Sequence, residues 1–113
     1  MTDPRGYCVV LTTTDSETAA EELSTKVIDA RLAACVQIQE IRSFYRWEEK
    51  TTKATELLLS IKTRKALYDD LERFIREHHG YQTPEIIQLD VTAGSSDYLD
   101  WIDQETGRSD RPA

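Results

Sequence analysis

Two cysteines and two histidines are the residues of this chain whose chemistry best suits a metal ion, namely Cys8, Cys35, His78 and His79. Copper(I) favours thiolate ligands, and imidazole suits copper and zinc. Adjacent helical residues are turned by about 100° from each other, so the two histidines cannot share one ion from a regular helix. We therefore predict His79, at the end of its helix, as the first metal-ligand candidate and Cys35 as the second.

Each metal candidate has a plainer alternative. A cysteine is among the most buried residue types and packs as a small hydrophobe, which is our interpretation of Cys8 and the alternative for Cys35. A histidine at a helix C-terminus often only complements the helix dipole, which is the alternative for His79. His78 continues the apolar stripe of its helix and is predicted to pack or cap. Apart from His78, the sequence offers His79 no further histidine, and it contains no CxxC or HExxH motif that would complete a metal site.

A second group combines a cation, a carboxylate and aromatic rings, and consists of Tyr45, Trp47, Lys62, Tyr81 and Glu85. These side chains could hold a small anionic or amphipathic ligand. The alternative is subunit packing, because Trp and Tyr are common in buried interfaces. The sequence has no glycine-rich phosphate loop and no GxSxG motif. We therefore expect a protein that is not an enzyme and has no catalytic residues.

The elements that would position these side chains alternate between strand and helix. Strands are predicted at Tyr7–Thr13, Cys35–Glu48, Ala54–Thr63 and about Glu85–Val91. Helices are predicted from about Glu17 to Leu32, from Leu67 to a stop at Gly80, and from Ser96 to Gln104. A polar turn is predicted at Glu49–Lys53. This order favours an α+β fold, a ferredoxin-like βαββαβ sandwich with an extra C-terminal helix.

The strand from Cys35 to Glu48 is unusually long. Fourteen extended residues span about 45 Å, whereas a compact chain of this length has a diameter of about 35 Å. Either the strand bends, with a bulge near Gln39–Glu40 that would also reconcile its apolar faces, or its far end pairs with another copy. Apolar residues on both strand faces also exceed what two helices can cover. We therefore expect a homo-oligomer with sheet pairing between subunits.

Composition limits the functional classes further. The chain has 113 residues and a net charge of −7, which fits one domain and argues against a nucleic-acid partner. We expect a single domain over residues 1–104 and a flexible tail over 105–113. The absence of a membrane-length apolar run, of a signal-like N-terminus and of a disulfide framework predicts a cytoplasmic protein without a membrane partner.

Five segments resemble one known family, the CutA or divalent-cation tolerance proteins. They are RLAACV at 31–36, SFYRWE at 43–48, IKT at 61–63, HGYQTPEI at 79–86 and DYLDWI at 97–102. The resemblance covers about Tyr7 to Asp103. It implies a ferredoxin-like homotrimer akin to the PII signalling proteins, a link to copper or another divalent cation, and a cleft between protomers lined by the second residue group.

The resemblance leaves three readings of function open. The first is a trimer that binds copper or another divalent cation at or near the inter-subunit cleft. The second is a PII-like module that binds a small ligand, and the third is a scaffold trimer without a ligand. Members often have Pro-Gly where this chain has Gln39-Glu40, Pro where it has Gly80, and Gly where it has Glu49.

Overall fold

A computed structural model describes residues 6–107 of the chain. The elements follow in the order β1 (Tyr7–Thr14), α1 (Glu17–Asp29), β2 (Cys35–Trp47), β3 (Lys50–Arg64), a 3₁₀ turn (Lys65–Leu67), α2 (Tyr68–His78), β4 (Ile86–Val91) and α3 (Ser96–Glu105). The four strands form one antiparallel sheet in the order β2-β3-β1-β4. This topology confirms the predicted βαββαβ fold with a third helix at its C-terminal end.

The core lies between one face of the sheet and helices α1 and α2. Alternate residues of the central strands point to this face, and Val10, Leu59 and Ile61 are fully buried there. Leu71 and Ile75 of α2 complete the same cluster. Cys8 also lies in this cluster at 1% exposure, which confirms its predicted place in the core.

Helix α3 covers part of the opposite sheet face, which we call the open face. Asp103 of α3 is fully buried, and its Oδ2 accepts a 2.7 Å hydrogen bond from the hydroxyl of Tyr7. Arg64 donates to the side chain of Thr106 over 2.8 Å. Thr106 is buried, so packed chain extends into the segment predicted as a tail from residue 105. The remainder of that predicted tail, 108–113, lies outside the described residues.

The long strand β2 contains no bulge and pairs along its whole length within its own chain. It pairs residue for residue with β3, from Cys35 with Lys62 to Trp47 with Lys50. The predicted bulge near Gln39–Glu40 is therefore wrong. The apolar residues of β2 change from one strand face to the other because β1 pairs with β3 only as far as Leu57. Beyond that point the β2–β3 hairpin extends past the core, so its apolar residues need not lie on the core face. The projecting hairpin gives the described residues a longest dimension of 53 Å.

Two boundaries differ from prediction for a local reason. The predicted turn at Glu49–Lys53 is wrong, since Glu48 and Glu49 alone form the turn, with φ of 50° and 65°, and β3 begins at Lys50. Helix α1 stops at Asp29 rather than Leu32. Arg31 has a φ of 58°, and the amides of Arg31 and Leu32 bond back to the last helical turn, the arrangement of a Schellman cap.

Candidate functional site

A cleft of about 830 Å³ opens beside the hairpin. Ser43, Tyr45 and Trp47 lie at alternate positions of β2 and therefore share the open face of the sheet. Glu56 of β3 adds a carboxylate from the neighbouring strand. The remaining wall is the connection between α2 and β4, which contributes Tyr81, Gln82, Thr83 and Glu85. Of the predicted ligand group, the structure thus brings together Tyr45, Trp47, Tyr81 and Glu85.

Tyr81 links this connection to the hairpin. Its hydroxyl donates a 3.0 Å hydrogen bond to Oε2 of Glu56. Burial raises the pKa of Tyr81 well above the ordinary value, and the hydrogen bond to Glu56 and its negative charge raise it further. Asp15 and Tyr45 act in the same direction. The phenol therefore stays protonated and remains a hydrogen-bond donor.

His79 uses both ring nitrogens within its own chain. Nδ1 lies 3.0 Å from the backbone nitrogen of Tyr81, whose N–H donates to it. Nε2 lies 2.6 Å from the carbonyl oxygen of Thr13, so this nitrogen carries the proton and donates it. A metal could take either nitrogen only by displacing one of these contacts. In this arrangement His79 anchors Tyr81 at the edge of the cleft.

Cys35 and His79 lie on different parts of the sheet. Cys35 is half-buried and free, and it pairs with Lys62 of β3. Thr13, which His79 contacts, pairs with Leu58, four residues along β3 from Lys62, or about 13 Å. Within residues 6–107, no three His, Cys, Asp or Glu side chains form a group able to hold a metal ion. The described residues of a single chain therefore do not fit a metal ion by themselves.

Lys62 lies outside the cleft. Its ammonium group is 5.5 Å from the ring centroid of Tyr98 on α3, a cation–π contact. Tyr98 in turn lies 5.5 Å from Trp101, centroid to centroid. The structure thus separates the only cation of the predicted ligand group from the carboxylate and the three rings. His78 stacks on Phe74 at 4.2 Å, and its Nδ1 is 2.8 Å from the Phe74 carbonyl, as expected for a residue that caps the helix.

Glu56 is the functional candidate that the sequence did not single out. It stands between Thr55 and a run of three leucines, and its position opposite Ile41 on the hairpin places it in the cleft. The only local sequence signal for Glu56 is a carboxylate that precedes an apolar run within a predicted strand. That signal is typical of an exposed strand face, so pairing register was needed to locate it.

Comparison with known proteins decides the family. The sequence model of the family described as CutA1 divalent ion tolerance protein matches residues 8–105 of this chain. The chain belongs to the CutA1 family. The divalent-cation tolerance protein CutA of Thermus thermophilus is 38% identical over 100 residues, which cover 88% of this chain and 97% of that protein. The solved structure of the periplasmic divalent cation tolerance protein CutA from Archaeoglobus fulgidus has a TM-score of 0.87 and 33% identity, covering 88% of this chain and 98% of that one.

Some relatives are longer than this chain. The chloroplastic CutA protein of Arabidopsis thaliana is 39% identical over 99 residues, which cover 87% of this chain but only 54% of that protein. Relatives thus carry both chloroplastic and periplasmic descriptions. Among residues 6–107, no helix has the length and apolar character needed to cross a membrane.

Proposed function

We propose that this protein contributes to divalent-cation tolerance as a non-enzymatic homotrimer that binds copper or another divalent cation at or near a cleft between subunits. Family membership supports the tolerance role. The observation that carries the site is the cleft beside the hairpin, where Glu56 and Glu85 place two carboxylates on the open face. Because residues 6–107 of one copy supply no third metal ligand there, the proposed site takes donors from two copies.

Exposed apolar groups support the assembly. Ile87 and Leu89 of β4 are 46% and 47% exposed on the open face, and Phe44 and Trp47 near the hairpin tip are 66% and 62% exposed. Large exposed apolar patches mark interaction sites, and a projecting hairpin can reach a neighbouring copy. We expect Leu89→Lys to weaken the trimer, measured as a lower mass by native mass spectrometry at micromolar protein. Gln88→Lys, on the opposite strand face, is the matched control.

Copper titration tests the metal proposal directly. Native mass spectrometry of the reduced trimer is expected to show about one copper ion per protomer before other divalent ions bind. Glu56→Gln and Glu85→Gln should each reduce that stoichiometry, and Cys35→Ser and His79→Ala test whether the thiol and the imidazole are ligands as well. His78→Ala controls for loss of an exposed imidazole. If the protein shows only a broad range of copper stoichiometries, and the Cys35 and His79 variants show the same range, neither residue is a metal ligand.

A cytoplasmic location is part of the proposal. Both cysteines are free thiols, and free thiols persist in reducing compartments. Fractionation of cells that express the chain from its own gene would test this. Recovery in a periplasmic or organelle fraction, as the descriptions of some relatives name, would contradict it.

The structure favours one feature of the alternative function, a small-ligand module. A cavity of about 830 Å³ lies within the size range of small-molecule sites. The two-residue turn at Glu48–Glu49 argues against a PII-like nucleotide sensor, because such proteins use a long flexible loop between these strands. A thermal-shift screen separates the functions: stabilisation by metals alone favours cation tolerance, and stabilisation by small molecules alone favours the ligand module.

A further inference from the structure

The cleft carries the negative charge of two carboxylates, Glu56 and Glu85. Among residues 6–107, neither Glu56 nor Glu85 lies within 4.0 Å of a Lys, Arg or His nitrogen, whereas four carboxylates outside the cleft do. The paired carboxylates are those of Asp70, Glu72, Asp90 and Asp103. Lys62, the cation that the sequence placed in this group, instead contacts Tyr98. The polarity of the cleft is therefore opposite to that of an anion site.

Aromatic rings surround these carboxylates. Tyr45, Trp47 and Tyr81 all line the cleft, and the first two are 43% and 62% exposed. The face of an aromatic ring attracts a cation, and Trp does so most strongly. Tyr81 is held in place at both ends, by His79 at its backbone nitrogen and by Glu56 at its hydroxyl. The cleft thus offers a fixed ring, two further rings and a net negative charge.

Within a single chain, the size and donor set of the cleft suit an organic cation better than a bare metal ion. Oxygen ligands hold Ca²⁺ or Mg²⁺ at about 2.0–2.6 Å and must number about six or more. Two carboxylates, one of which accepts a hydrogen bond from Tyr81, do not supply a full coordination shell within the described residues of one chain. A quaternary or primary ammonium ion needs no coordination shell and fills a larger space. Its alkyl groups also gain from contact with the rings.

We propose that this cleft binds a small organic ammonium ion, with Glu56 and Glu85 balancing its charge and Tyr45, Trp47 and Tyr81 contacting its alkyl groups. The inference concerns the cleft of the proposed function but does not depend on metal binding. A ligand of this class would give the family fold a role in sensing or sequestering an organic cation.

Choline is the probe, and its neutral isostere 3,3-dimethylbutan-1-ol is the matched ligand control. Titrations by calorimetry or ligand-observed NMR use the full chain in its native assembly, with EDTA present so that metal plays no part. We expect saturable binding of choline and at least about tenfold weaker binding of the alcohol, since only the charged compound gains cation–π and carboxylate contacts. Equal binding of the two compounds, or no saturable choline binding, would overturn the proposal.

Charge-neutral variants locate the site. Glu56→Gln and Glu85→Gln should each weaken choline binding at least about fivefold, and Gln at position 56 can still accept the Tyr81 hydrogen bond. Glu72→Gln removes the same charge on α2, outside the cleft, and should leave affinity unchanged. If all three variants weakened choline binding equally, the effect would come from the net charge of the protein, and the proposed site would be refuted.

Native mass spectrometry of the same samples separates the remaining outcomes. An intact trimer that takes up no choline would mean that a second copy fills the cleft, which refutes this inference and leaves the metal proposal standing. Choline uptake by a trimer that binds no copper would refute the metal proposal alone.

Discussion

Replacement of Glu49 by glycine is expected to stabilise the β2–β3 hairpin. Glu48 and Glu49 have φ of 50° and 65°, the pair of left-handed residues found in a type I′ turn, where Gly is strongly preferred at the second position. A side chain in this conformation costs about 1–2 kcal/mol. Nothing is lost with the carboxylate, because the contact of Glu49 with Arg46 uses the backbone oxygen, 3.4 Å from the guanidinium.

The net gain is smaller than the strain relieved. Glycine loses more backbone freedom on folding, which costs about 0.5–1 kcal/mol. We therefore expect Glu49→Gly to raise the free energy of unfolding by about 0.5–1 kcal/mol. That corresponds to a rise in Tm of about 2–6 °C for a domain of this size.

Thermal unfolding followed by circular dichroism measures the effect. Protein concentration must be the same for all variants, since Tm would depend on concentration if the chain assembles as proposed. Glu49→Gln is the matched control, because it removes the same charge but keeps the side chain at positive φ; a change within about 0.5 kcal/mol is expected. If Glu49→Gly gained no more than Glu49→Gln, or lost stability, the backbone-strain argument would be refuted.

Two further predictions concern buried groups. Tyr7→Phe removes one hydrogen-bond donor to the fully buried Asp103 and should lower the free energy of unfolding by about 1.5–3 kcal/mol. Tyr98→Phe, at 38% exposure, is the control, and an equal loss would contradict the role of burial. Burial raises the pKa of Cys8 from 9.0 to about 11, so the folded state disfavours the thiolate, and the stability tied to this thiol is complete below pH 9 and lost towards pH 11. Urea unfolding from pH 8 to 11 should show a steeper decline for the native chain than for Cys8→Ala, and parallel curves would refute the assignment.

Much of the fold could be predicted from the sequence. The start of α1 at Glu17 follows from the capping side chain of Ser16 and from apolar spacing. The start of α3 at Ser96 follows from the amphipathic pattern of that segment. The length of β2 follows from fourteen residues without Pro or Gly, and the structure ends the strand one residue earlier, at Trp47. These signals are local, so a single sequence carries them in full.

The turn and the end of α1 were less accessible because both depend on residues in an unusual backbone conformation. Arg31, Glu48 and Glu49 adopt positive φ, which sequence reasoning normally assigns to Gly or Asn. The predicted bulge failed for a different reason. The apolar residues of β2 change faces along the strand, and the prediction explained this by a bulge. The change instead occurs where β1 ends and the hairpin extends beyond the core.

The sequence by itself determined the order of elements and the identity of the groups able to do chemistry, because periodicity and residue type are properties of neighbouring residues. Only the tertiary structure decided which of those groups meet. Pairing register moved Lys62 beneath α3 and Glu56 into the cleft, and hydrogen bonding occupied both nitrogens of His79. Such placements depend on contacts between residues far apart in the chain, and local pattern does not encode those distances.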